Sequence, residues 1–390
     1  MSSLTINFDS TFPIIFQDTS GSYKTYKTLT ESILRNNNIS KITVENFNET
    51  YHDSKQLKFL FDNVQTEKIK KFYINNCFLS VDNNSSEQLS LFLSLCINLY
   101  KLSINSVTVT NYQYLFECIE SNKNLQKLEI GSININSLLM KSIVEILKNN
   151  KLEELFLPEC KINDHVFSIL VCGLLKTDSL RFINLEFNYI TERGAEYIME
   201  YLKVNTGLKK LYLSGNFIEN NGAKYISYGL MENNTLEELL LDTNDIGDIG
   251  MYNLLGGLTY NKSLKSLDMS DNLLNENSAE YIADFMKDNY SLHELIISKN
   301  KISNDGAKLI AEGIIYNMTM TSLHMEETGI TALGEKYIEN ALRSNRTLLH
   351  LRGMKTDGCK KMLSGIGVIQ RMTNDFIINR NEKRLSSYIF

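Results

Sequence analysis

Apolar and polar residues alternate over short stretches of this chain, then the apolar ones fall three and four apart, and the switch recurs. Leu211 and Leu213 alternate with Lys210, Tyr212 and Ser214, the period of a short strand. Ala223, Ile226 and Leu230 follow at helical spacing, as do Ala195, Ile198 and Leu202, Ala279, Ile282 and Met286, and Ala307, Ile310 and Ile314. The pattern predicts a strand, a turn and a helix in each unit. Its phase is marked by Leu152, Leu180, Leu208, Leu236, Leu264, Leu292, Met320 and Leu348, each 28 residues after the last. A period of this length signals a solenoid, whose units cannot bury their faces alone and so bury them against one another.

The fullest copies read Leu180-x-x-Ile183-x-Leu185-x-x-Asn188-x-Ile190, Leu208-x-x-Leu211-x-Leu213-x-x-Asn216-x-Ile218 and Leu236-x-x-Leu239-x-Leu241-x-x-Asn244-x-Ile246. The asparagines, with Asn272 and Asn300, fall just after the strand and predict a ladder in which each amide bonds the turn of its own and the next repeat. Cys77 and Cys160 take that place in earlier copies as small buried fillers. Gly194, Gly222, Gly250, Gly306 and Gly334 mark close backbone approach at each helix start. They form no GxGxxG cluster that would cradle a phosphate. Tyr197, Tyr225, Tyr281 and Tyr337 each precede a core isoleucine and are expected to pack neighbouring helices.

Strands stack about every 4.8 Å while helices need about 10 Å, so such an array must bend, with a parallel sheet on its concave face and helices on its convex face. The strand pattern extends backwards through Leu125-x-x-Leu128-x-Ile130, Leu99-x-x-Leu102-x-Ile104, Ile69-x-x-Phe72-x-Ile74 and Ile39-x-x-Ile42-x-Val44, at looser spacing. Residues 39–352 therefore read as 11 to 12 repeats. Residues 1–38 are expected to cap the first strand through the amphipathic stretch Tyr23 to Arg35, and residues 353–390 to form a helical cap.

The LxxLxLxxNxI pattern followed by a Gly-Ala helix resembles the ribonuclease-inhibitor-type leucine-rich-repeat family. The resemblance implies an α/β solenoid, a right-handed βα horseshoe that binds proteins, without catalysis or cofactor of its own. Relatives inhibit secreted ribonucleases, form sensor arms of immune receptors, activate the Ran GTPase, or act as effectors that intracellular bacteria deliver into host cells. The Asn-, Ile-, Lys- and Tyr-rich composition, with two prolines and no tryptophan, suits an AT-rich genome and is most similar to the last group. Ribonuclease inhibitors alternate two repeat lengths and are richer in cysteine and tryptophan, which argues against direct ribonuclease inhibition here. Ran activators end in a strongly acidic tail, whereas residues 351–390 hold eight basic and three acidic residues. The runner-up reading, a small-GTPase regulator, would need a loop arginine such as Arg193 or Arg346.

Charge and composition narrow the partner. A net charge of -6 with 22% charged residues makes no case for nucleic acid. No apolar run approaches the roughly 18 residues that span a bilayer, and Asp9 and Asp18 stand near an N-terminus without a basic leader. A basic membrane-targeting role for Lys383 and Arg384 lacks a long basic run or lipidation motif. Six scattered cysteines, several at core positions, favour free thiols in a reducing, cytoplasmic compartment. Entry into a host cell would then follow a non-classical route, and a monomer is expected.

Repeat phase also predicts which strand side chains face solvent. Lys41, Lys70, Lys71, Lys101 and Lys127 make a basic stretch. The middle copies contribute Phe156, Phe182, Phe187, Tyr212 and Leu240 beside Glu186, Asp242 and Asp268. Exposed aromatics are typical anchors, and surrounding carboxylates would steer a basic partner surface, so these eight are the candidate site. His293, His324 and His350 fall on neighbouring strands near Glu294, Glu326 and Glu327, without a tight metal-ligand spacing. A polar patch is expected there, and no metal.

Overall fold

The computed structural model describes residues 2–7, 15–17, 23–24, 39–48, 55–79, 85–109, 111–149 and 151–355. The chain divides into two compact units, Met1–Asn244 and Asp245–Phe390. In the first, strands β4 (Ile39–Glu45), β5 (Lys71–Asn75), β6 (Lys101–Asn105), β7 (Lys127–Gly131), β8 (Glu154–Phe156), β9 (Phe182–Asn184), β10 (Lys210–Tyr212) and β11 (Glu238–Leu240) pair in parallel in chain order. Helices α1 (Lys55–Asn63), α2 (Ser85–Leu95), α3 (Tyr112–Glu120), α4 (Ser137–Asn149), α5 (Asp164–Leu174), α6 (Glu192–Val204) and α7 (Glu219–Glu232) follow the strands β4 to β10, and each packs on the next.

The second unit repeats the plan. Strands β12 (Ser266–Asp268), β13 (Glu294–Ile296), β14 (Ser322–His324) and β15 (His350–Arg352) pair in parallel. Helices α8 (Asp248–Tyr260), α9 (Glu276–Asp288), α10 (Ser303–Tyr316) and α11 (Ala332–Leu342) pack side by side, with the Tyr281 ring 5.0 Å from Tyr252. Each unit is an α/β solenoid, as the periodicity predicts. The marker leucines and the paired strand residues, such as Leu208, Leu211 and Leu213, are buried in its core.

The N-terminal end departs from expectation. The first expected strand, β4, is not an edge: β1 (Ser2–Asn7) runs parallel beside it with Leu4 opposite Ile42 and Ile6 opposite Val44. Leu4 and Ile6 are buried, so a period-two strand lies ahead of the repeats. β2 (Ile15–Gln17) and β3 (Tyr23–Lys24) follow as an antiparallel ribbon. Tyr23 thus opens a strand, and the remainder of the expected capping stretch, like the C-terminal cap beyond Lys355, lies outside the described residues.

The asparagine ladder is present and reaches backwards rather than forwards. Asn188 donates to its own Leu185 carbonyl at 2.9 Å and to Leu157 of the preceding repeat at 2.8 Å. Its Oδ1 accepts from the Cys160 and Ile162 amides at 3.0 Å. Cys160 itself is buried, with Sγ 3.2 Å from the Ile130 carbonyl. Burial pushes the Cys77, Cys96 and Cys160 thiols up to about 12, which leaves them protonated and unreactive.

A second ladder, not anticipated, precedes the strands. Asn233 donates to the Leu202 and Asn205 carbonyls at 2.9 and 3.1 Å and accepts from the Thr235 and Leu236 amides at 3.0 and 2.8 Å. Asn205, Asn261, Asn289, Asn317 and Asn345 stand at the same place and are buried. Amide side chains therefore brace the chain where it enters and where it leaves the strand.

Candidate partner-binding face

Parallel pairing in register turns the strand positions into rows that cross the sheet. Phe156, Asn184 and Tyr212 share one row, and Phe182 lies in the next with Glu154 and Lys210. Phe182 is therefore diagonal to both other aromatics, within reach of large side chains. Its ring meets Phe156 edge-on at 4.6 Å and Tyr212 at 4.5 Å, with interplanar angles of 68° and 67°. Edge-to-face pairs of this kind contribute about 0.5–1.5 kcal/mol beyond area burial. All three rings are half-buried, so they are stacked in place while still presenting a face outward.

Charged groups close the aromatic row at both ends. Lys127 Nζ sits 3.9 Å over the Phe156 ring and 2.5 Å from Glu154. The Tyr212 hydroxyl donates to Glu238 at 2.6 Å, and the other oxygen of Glu238 takes Lys210 at 2.8 Å. Phe187 is placed differently from the other aromatics. It lies in the turn after β9 at φ 55°, 38% exposed, and its ring covers Gly215, where a Cβ would fall 2.4 Å from Cδ1. A side chain at position 215 would have to displace that ring and adopt φ 65°.

Three expected site residues are not solvent-facing. Leu240 is 4% exposed, Asp268 5% and Glu186 7%. Rows about 4.8 Å apart let neighbouring side chains shield one another, so alternation alone overstates exposure on the polar face. The expected carboxylates are also committed internally. Glu186 accepts from Asn184 at 2.7 Å, Asp242 from the Ser214 hydroxyl, and Asp268 from the amide and hydroxyl of Ser270 at 2.9 and 2.6 Å. Asp268 belongs to the second unit and the other seven candidates to the first. Missed beforehand were Tyr189 and Phe217, exposed beside the ladder asparagines with ring centroids 6.2 Å apart. Their shared place between Asn and Ile in consecutive repeats was the available signal.

Further along the basic stretch, Lys41, Lys71, Lys101 and Lys127 stand opposite one another on β4 to β7. Lys41 and Lys101 flank the Tyr73 ring at 4.8 and 4.9 Å, and Lys71 lies 5.3 Å over Tyr100. The Tyr100 hydroxyl, hydrogen-bonded to Lys71, raises that ammonium's pKa and keeps it charged.

His350 lies diagonal to His324 on the neighbouring strand. His324 is buried with its Nε2 3.0 Å from the Ser322 hydroxyl, while His293 Nδ1 lies 2.7 Å from the Ser291 carbonyl and its side chain is exposed. Among the described residues, no three His, Cys, Asp or Glu side chains are grouped to hold a metal, and no helix is long and apolar enough to cross a membrane. Arg193 lies exposed in the first turn of α6, and Arg346 donates to the neighbouring Asn345 carbonyl at 3.3 Å.

The family pattern described as "Leucine Rich repeat" matches residues 204–227, 232–255, 260–283 and 288–311. The chain carries leucine-rich repeats. Among solved structures, a chain of the yeast Rad7 and Elc1 complex is 16% identical over 79% of this chain and 74% of that one, with a TM-score of 0.50. An internalin from Listeria monocytogenes is 15% identical over 87% of this chain and 92% of that one, at 0.45. The actin-binding site 2 of leiomodin-1 is 21% identical over 38% and 88%, at 0.31. At such identities the Rad7–Elc1 likeness speaks to the fold alone, and this chain is an α/β leucine-rich-repeat solenoid.

Proposed function

We propose that this leucine-rich-repeat solenoid is a protein-binding module whose partner docks on the strand face of the first unit. The observation that carries the reading is the edge-to-face row Phe156–Phe182–Tyr212, held rigid by its own contacts and by charged neighbours at both ends. Pre-stacked aromatics lose little freedom on binding and are frequent hot spots. Tyr189 and Phe217 add exposed apolar area in the same unit. Because Glu186, Asp242 and Glu238 are occupied within the fold, the partner is selected by ring contact first and by charge second. The solved complex of Rad7 with Elc1 offers a precedent in which a similar fold has a protein partner.

The proposed setting is a reducing cytosol, supported by free thiols at five described cysteines, three of them deeply buried. Delivery into a host cell is part of the same proposal and rests on composition alone. Affinity capture from eukaryotic cytosol with the full chain, followed by mass spectrometry, tests the binding face. Partners retained by the native chain are expected to be lost from Phe182→Ala/Tyr212→Ala and kept by Lys265→Ala, an exposed change in the second unit. Equal retention by all three chains would remove the aromatic row from the function.

A further inference from the structure

The lysines of β4 to β6 run against the charge pattern of the later strands of the first unit. Like charges directly opposite one another on neighbouring strands disfavour pairing. Later in the same row each lysine meets a carboxylate, Lys127 with Glu154 and Lys210 with Glu238. Lys41, Lys71 and Lys101 instead stack lysine on lysine in register. Among the described residues none of these three forms an ion pair, and aromatic rings hold them in place. The carboxylate diagonal to Lys101, Glu129, takes a hydrogen bond from Asn105 at 2.9 Å. Lys70, exposed beside Lys71, adds a further ammonium.

We propose that this row docks an acidic helix of a partner protein, with one carboxylate per helical turn laid along Lys41, Lys71 and Lys101. Spacing selects the helix. Strands repeat about every 4.8 Å and a helix presents one face about every 5.4 Å, a drift of about 1 Å over two intervals that lysine stems absorb. An extended strand presents a given side about every 6.6 Å and drifts by about 4 Å over the same span. Tyr73 and Tyr100 pre-order the ammonium groups, so less side-chain freedom is lost on docking. The repulsion kept in the free chain is relieved only when the counter-charge arrives.

The test uses the full chain and two synthetic peptides of equal composition, one with its glutamates on a single helical face and one with them spread around the helix. Fluorescence anisotropy is expected to show the one-face peptide binding at least about tenfold more tightly, with affinity falling as salt rises. Lys71→Gln/Lys101→Gln is expected to weaken it about tenfold while raising the unfolding midpoint of the free chain, which separates lost binding from lost folding. Phe182→Ala/Tyr212→Ala is expected to leave this peptide's affinity unchanged, so the row stands or falls apart from the aromatic anchor. Equal affinity for the two peptides, equal binding by the lysine variant, or tighter binding of inorganic polyphosphate or single-stranded RNA than of the one-face peptide would each overturn the proposal.

Discussion

Asn216 serves two repeats with one side chain. Its Nδ2 donates to Leu213 of its own turn at 2.9 Å and to Leu185 of the preceding repeat at 3.0 Å, and its Oδ1 accepts from the Ile190 amide at 3.1 Å. The two carbonyls keep other partners, since Asn188 also bonds Leu185 and Asn244 also bonds Leu213. The Ile190 amide relies on Asn216, so Asn216→Ala is expected to cost about 2–3 kcal/mol from a buried unpaired donor, read as a lower urea midpoint. The residue before each ladder asparagine, and before Cys160 and Thr328 at the same place, is left-handed: Glu159, Phe187, Gly215, Thr243, Asp271, Lys299 and Glu327 all have φ between 52° and 65°. No residue type marks the place, so the pattern is invisible in the sequence although it recurs as strictly as the leucines. Thr243, β-branched and exposed at φ 57°, bears the strain most poorly. Thr243→Gly removes about 1–2 kcal/mol of strain and returns about 0.5–1 kcal/mol as backbone freedom in the unfolded chain. A net gain of a few tenths to 1 kcal/mol in the unfolding free energy is expected.

Within the elements, two glycines of similar sequence setting have opposite meanings. At Gly222, in the first turns of α7, an added Cβ would fall 2.7 Å from Ile218 Cγ2 and 3.1 Å from Ala195 Cβ on α6. Gly256, inside α8, has open space there. Alanine favours a helix over glycine by about 1 kcal/mol, and forcing a methyl into a packed seam costs about 1–3 kcal/mol. Gly256→Ala is expected to raise the melting temperature and Gly222→Ala to lower it. Periodicity already separated the two, since Gly222 recurs as Gly194, Gly250, Gly306 and Gly334 and Gly256 has no counterparts. The same periodicity exposed the strands and the helix stripes but misjudged Leu240 and Glu186, because shielding depends on what stands in the neighbouring row. It also bore the second asparagine ladder in plain view, at Asn205 and its successors, where no apolar pattern drew the eye. β1 went unnoticed because Leu4 and Ile6 lack the repeat's other marks.

For the molecule as two units, acid is expected to act unevenly. In the second unit His324 is buried, and burial first, then the positive charges of Arg352 and His350, lowers its pKa below the ordinary 6.5, against the opposing pull of Glu294 and Glu326. A histidine with a lowered folded pKa takes up its proton more readily when unfolded. Its contribution to stability is therefore present above about 6.5 and is lost as pH falls below that value. Among the described residues of the first unit the one histidine is His165, which is exposed. Lowering the pH from 7.5 to 5.5 is thus expected to loosen residues 266–352 more than residues 154–240, before most carboxylates are protonated. Hydrogen exchange, corrected for the intrinsic effect of pH on amide rates, measures both stretches in one sample. In His324→Gln, which cannot take a proton and can still bond Ser322, the second unit is expected to lose its excess sensitivity. Equal loosening of the two stretches in the native chain, or sensitivity that persists in the variant, would show that the buried imidazole does not govern the response.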